Sequence, residues 1–74
     1  MTKMTNDKLA QSIGVTESYV SYLRAGKRLP SGNLLVKIVL THRLDPLDAM
    51  YAYAYGMEVF GAYISEKLFK DKSA

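Results

Sequence analysis

Apolar residues recur along the chain at helical rather than strand spacing, and the pattern divides it into four helices. Leu9, Ala10 and Ile13 share one face of a first helix, from about Asn6 to Ile13. Thr5 or Asn6 can cap it, Asp7 suits its positive end, and Gly14 ends it by tolerating a left-handed conformation. The second helix, Glu17 to Ala25, carries the stripe Tyr19, Val20 and Leu23. Thr16 is its N-cap, Val15 the hydrophobic residue before the cap, and Gly26 its terminator. Ser31 caps a third helix, Gly32 to His42, whose buried face is Leu34, Leu35, Ile38 and Val39. Asp45 caps a fourth that takes Pro46 into its first turn. On this pattern the fourth helix reaches Phe69, about 24 residues or ~36 Å at the α-helical rise. Gly56 and Gly61 permit a kink in it, and Lys70 to Ala74 are expected to fray. Tyr51 to Tyr55 alternates like a strand but lies inside the longer helical pattern, so it is read as helix.

The chain has 74 residues, room for one domain with a modest core. It has no cysteine and a single histidine, which removes disulfides and makes a zinc-stapled finger implausible. No metal and no cofactor is expected. Met1 to Lys8 is polar and does not read as a signal peptide. The most apolar run, Ala49 to Ile64, holds Glu58, Tyr51, Tyr53, Tyr55 and Tyr63, groups that a membrane span would bury at a cost of kcal/mol each. Neither a membrane nor a small-molecule substrate is expected as a partner, and the expected location is cytoplasmic.

The net charge of +3 is unevenly placed. Residues 1–37 hold six Lys/Arg against two Asp/Glu, a balance of +4; residues 38–74 hold four against five, a balance of −1. The basic half points to a polyanion and the other half to a different task. An enzyme finds no support: there is no carboxylate pair with a nucleophile, no His/Cys/Asp set and no phosphate-cradling glycine loop.

The first two helices have the grammar of a helix-turn-helix. Ala10 is small enough for the second helix to cross close above it, Gly14 makes the turn, Val15 plugs the angle, and Val20 and Leu23 dock onto Leu9 and Ile13. The stretch Asn6 to Ser31, with "LAxxIGV" and "YVSxLxxGKRxPS" followed by "LLxKIV", resembles the repressor/Cro-type (XRE-like) helix-turn-helix family of phage repressors and bacterial regulators in order and spacing. The resemblance covers roughly residues 5 to 47. Taken with the apolar periodicity beyond residue 47, it implies an all-α, compact helix-turn-helix domain of about four helices with a long C-terminal helix. It also implies that the second helix enters the major groove of double-stranded DNA and reads base edges from its N-terminal turn.

The matching base-contact positions are Thr16, Glu17, Ser18, Ser21 and Tyr22. Glu17 can accept from a cytosine amino group, the serines can bond either base type, and Tyr22 can touch a thymine methyl or a phosphate. Asn6 matches a position that holds phosphate or supports a base-reading neighbour, and Lys27 and Arg28 should meet backbone phosphate. Set against this, Glu17 also suits the first turn as a carboxylate, and Tyr22 can pack on the protein.

The chain departs from the family pattern at three places. Only about five residues precede the motif, where another helix is usual. Arg24 stands at a position commonly held by a glutamate that pairs with that leading helix, so Arg24 is expected to be free for phosphate. His42 and Arg43 stand where a buried leucine and a glycine are usual, and His42 is expected to interact with terminal carbonyls.

The fourth helix is expected to cover the apolar surface left by the leading helix. Leu47, Met50, Ala54, Met57, Gly61, Ile64 and Leu68 alternate at three and four, the seam of a helix pair. Tyr51, Tyr55, Val59, Ala62 and Phe69 form a second stripe, with Tyr53, Phe60 and Tyr63 beside it. The expectation is that residues 1–45 are the DNA-binding core and that the helix of residues 46–74 completes it with one face. The seam then forms a homodimer with the other. The functional expectation is a sequence-specific repressor or Cro-like regulator on a palindromic operator. The competing expectation is a protein-interaction module, an antirepressor or an antitoxin, gripping its partner with the aromatic-rich helix.

Overall fold

The computed structural model describes residues 4–69. They form α1 (Asn6–Ile13), α2 (Glu17–Arg24), α3 (Gly32–His42), α4 (Pro46–Tyr55) and α5 (Met57–Ile64), the last continued by a π-helical turn, Ser65–Phe69. No strand occurs among the described residues. The expected fraying at Lys70 to Ala74 lies outside them.

Four helix starts are set by short polar side chains. Thr5 Oγ1 accepts from the Lys8 N–H at 3.1 Å, Thr16 Oγ1 from Tyr19 N–H at 3.1 Å, Ser31 Oγ from Leu34 N–H at 3.3 Å and Asp45 Oδ1 from Leu47 N–H at 2.9 Å. Each satisfies one donor that the helix cannot, a contribution of about 0.5–2 kcal/mol. Gly14 (φ 75°, ψ 34°) closes α1 with the Val15 N–H on Ala10 O at 3.0 Å. Gly26 (φ 76°) follows α2 in the same way, with the Lys27 N–H on Tyr22 O at 2.9 Å. Past α3 the left-handed residue is Arg43 (φ 54°, ψ 45°), a strained place for a side chain.

The single long C-terminal helix is not what forms. Gly56 adopts φ 111° and ψ −179°, a combination open essentially to glycine, and splits the expected helix into α4 and α5. The break lets α5 turn back against both α4 and α2. It also divides the expected dimer seam. Leu47, Met50, Ala54 and Met57 remain exposed, but Gly61 and Ile64 are buried in the chain's own core, and Leu68 is half-buried against it. Gly61 and Ile64 therefore do not belong to an intermolecular seam, because the chain reversal points that register inward.

The core gathers Leu9, Ala10 and Ile13 of α1, Val20 of α2, Ile38 of α3, Ala52 of α4, and Phe60 and Ile64 of α5. Phe60 meets Tyr53 edge-on, with centroids 5.7 Å apart and planes at 90°, and lies 6.2 Å from Tyr63. The Tyr53 hydroxyl donates to Pro30 O at 2.6 Å, fastening α4 to the α2–α3 connection. At Gly61 two backbones nearly touch: a Cβ there would stand 2.4 Å from Leu23 O and 3.1 Å from Arg24 O. So α5 rests directly on the end of α2. Among the described residues, no helix is long and apolar enough to cross a membrane.

Candidate nucleic-acid interface

The bend at Gly14 sets α2 across α1 with Val20 and Leu23 turned inward and fully buried. By helical geometry the opposite side of α2 must face out. Thr16, Glu17, Ser18 and Ser21 are all exposed, and Tyr22 is 49% exposed. The residues expected at the base edges thus share one free, polar surface at the start of α2. Because Thr16 Oγ1 accepts from the Tyr19 N–H, its hydroxyl proton remains the outward donor. Lys27 and Arg28, beyond Gly26, are exposed at the other end of α2.

Asn6 is half-buried at the first position of α1, and its Oδ1 accepts from Arg24 Nη1 at 2.8 Å. Arg24 is not the free cation expected of it. Its Nε donates to Ser65 Oγ at 3.2 Å, and its guanidinium carbon lies 3.6 Å from the centroid of the Phe69 ring. The family pattern offers this position a partner only on a preceding helix. Its partners come from α1 and from the π-helical turn, 18 and 41 positions away in sequence for the hydrogen bonds.

His42 also differs from expectation. Rather than serving the α3 carbonyls, its Nε2 stands 2.9 Å from Ser12 Oγ on α1. The Ser12 hydroxyl donates to Leu9 O at 2.8 Å, so the imidazole Nε2–H donates to Ser12. Burial lowers the His42 pKa from its ordinary value. Lys37, outside the helix-turn-helix motif, brings its Nζ to 3.4 Å from where a Cβ on Gly14 would be. It adds a cation beside the turn. Its signal in the sequence was only its membership of the basic half.

Elsewhere, α4, α5 and the π turn line an open groove of about 420 Å³ with Tyr51, Tyr55, Val59, Ala62 and Tyr63, rimmed by Asp48, Glu66 and Lys67. Tyr51 and Tyr55, one turn apart, stack at 5.9 Å. Burial, then the Asp48 and Asp45 charges, push the Tyr63 phenol above its ordinary pKa and keep it neutral.

Residues 2–47 match a family model described as helix-turn-helix, a span that takes in α1, α2, α3 and the turn on which the exposed face of α2 depends. Comparison with curated proteins and with solved structures finds no match. With the family model covering more than half of the chain, and with the bend, the buried side of α2 and its free polar side all in place, the chain belongs to the XRE/Cro-like helix-turn-helix family of DNA-binding transcription regulators, a family of regulators and not of enzymes.

Proposed function

We propose that the protein is a repressor-type regulator that binds a palindromic operator as a homodimer, of phage or bacterial origin. The observation that carries this reading is the exposed polar side of α2 at its N-terminal turn, with Lys27 and Arg28 exposed beyond its other end. Glu17, Ser18, Ser21 and Thr16 supply acceptors and donors for base edges; Tyr22 supplies an aromatic body for a thymine methyl. Lys27, Arg28 and Asn6 hold phosphate and set the register without reading sequence.

Dimerisation is supported by apolar side chains that the fold leaves in water. Leu47 is 71% exposed, Tyr51 68% and Tyr55 69%, with Met50, Ala54, Met57 and Val59 also exposed. So many exposed large apolar side chains on a small domain, with Tyr51, Tyr55 and Val59 gathered in one groove, favour an interaction surface. The groove rim carries both signs, Asp48 and Glu66 with Lys67, so a second copy could set opposite charges against each other across a two-fold axis. Two copies so joined would set their α2 helices in successive major grooves, about 34 Å apart.

Selection of bound duplexes from a random library, followed by footprinting upstream of the protein's own gene, tests the reading. A palindromic consensus with half-sites one helical turn apart is the expected result. Loss of all duplex binding at low salt would overturn it. The same exposed aromatic face favours a second reading, a module that grips a different protein. A monomer in sedimentation at high micromolar concentration, together with duplex affinity independent of salt, would select that reading.

A further inference from the structure

We propose that Arg24 is a positioning residue that orients the Asn6 amide for a DNA phosphate and ties that contact to the C-terminal end of the fold. The proposal rests on the reading of Asn6 as a phosphate contact. An asparagine amide has an acceptor end and a donor end, and only the donor end suits a phosphate oxygen. Arg24 Nη1 donates to Asn6 Oδ1 at 2.8 Å, which commits the acceptor end to the protein. The Nδ2 hydrogens are then the end left for the duplex. Without Arg24 the amide turns over freely and presents the wrong end part of the time.

The guanidinium is itself held on two further sides. Nε donates to Ser65 Oγ at 3.2 Å, and the Phe69 ring lies under its plane at 3.6 Å. Both residues belong to the π-helical turn. A π turn holds more residues than an α turn, so Phe69 emerges at a different angle from the one a continued α5 would give it. The arginine is thereby braced from the C-terminal segment while it aims Asn6. A direct phosphate ligand would keep its guanidinium uncommitted. Arg24 instead commits Nε, one Nη1 hydrogen and one face of its guanidinium to the chain itself.

The experiment is a double-mutant cycle on the full chain, with affinity read by fluorescence anisotropy on a mixed-sequence duplex of about two helical turns at several salt concentrations. Arg24→Met keeps a long apolar side chain at the position and removes every side-chain donor. Arg24→Met and Asn6→Ala are each expected to weaken binding by about 3–10-fold, the worth of one hydrogen bond. The double variant is expected to bind no worse than Asn6→Ala alone. If the two losses multiply and Arg24→Met flattens the dependence of log affinity on log salt by about 0.9, Arg24 is a phosphate ligand and the proposal falls.

Asn6→Asp guards against a folding artefact. It preserves the acceptor for Arg24, so thermal stability is retained, but it has no donor and its duplex affinity should drop at least as far as that of Asn6→Ala. Phe69→Leu, which keeps an apolar side chain and removes the ring, is expected to weaken binding by about 2-fold through Arg24 and to do nothing in the Asn6→Ala background. Unchanged binding by both Asn6 variants would overturn the placement of Asn6 at the phosphate, and with it this proposal. DNA binding as such is judged separately, by whether the unmodified chain binds the duplex with an affinity that falls as salt rises.

Discussion

Gly61→Ala sets two well-measured tendencies against each other. Glycine inside a helix is the poorer helix former, and on propensity alone alanine at this position in α5 should stabilise the protein by about 1 kcal/mol. The added methyl, however, would lie 2.4 Å from Leu23 O and 3.1 Å from both Arg24 O and Gly26 N. All three are backbone atoms of the end of α2 and its following turn, which no rotamer change can move aside. Relief requires α5 to lift by most of an ångström, loosening Phe60 and Ile64 in the core. Overpacking of this kind costs typically 1–3 kcal/mol. With a rigid backbone partner the upper end applies, and the net effect is a loss of about 2 kcal/mol, or roughly 8–16 °C in Tm for a domain of this size. Thermal and urea unfolding followed by circular dichroism would measure it. Gly32→Ala is the matched control, since a Cβ there meets nothing within 4 Å. It should leave stability equal or raise it by about 0.4–1 kcal/mol. A Gly61→Ala protein as stable as the wild type would refute the close approach of α5 to α2. It would also reopen the reading of Gly61 as a seam residue, where alanine is well tolerated.

Arg43→Gly should stabilise the protein by about 0.5–1 kcal/mol in urea melts, because the left-handed conformation strains an arginine and not a glycine; a loss would show that the arginine side chain matters more than its backbone. Burial depresses the His42 pKa below its ordinary 6.5, so the unfolded chain takes up the proton first as pH falls. That part of the stability is present above about pH 6.5 and is lost as pH drops through the lower folded-state value, so Tm should fall more between about pH 7.5 and 5.5 in the wild type than in His42→Leu. Equal losses in the two proteins would rule this out. Lys27→Ala should weaken all duplexes alike and flatten the salt dependence by about one unit, whereas Glu17→Ala with Ser18→Ala should relax sequence preference in the library selection. A Lys27→Ala protein that changed only its preferred sequence would reverse this assignment of roles.

The starts and ends of the first three helices were legible without a structure because each depends on groups a few residues apart. Thr16 reaches the N–H of Tyr19, Ser31 reaches that of Leu34, and Gly14 and Gly26 relax into left-handed turns wherever the rest of the chain lies. The division of α2 into Val20 and Leu23 inward and Ser18 and Ser21 outward follows equally from helical periodicity. The C-terminal half is different. An apolar repeat of three and four runs unbroken through Gly56, so periodicity alone describes one long rod. Two glycines offered places to bend, and long-range packing chose between them: Gly61 is needed where α5 meets the α2 backbone, and Gly56 supplies the dihedral angles of the reversal. The partners of Arg24 and His42 were hidden for the same reason. Asn6, Ser65, Phe69 and Ser12 come within reach only after the helices have packed, and a local pattern holds no record of a contact made across the fold.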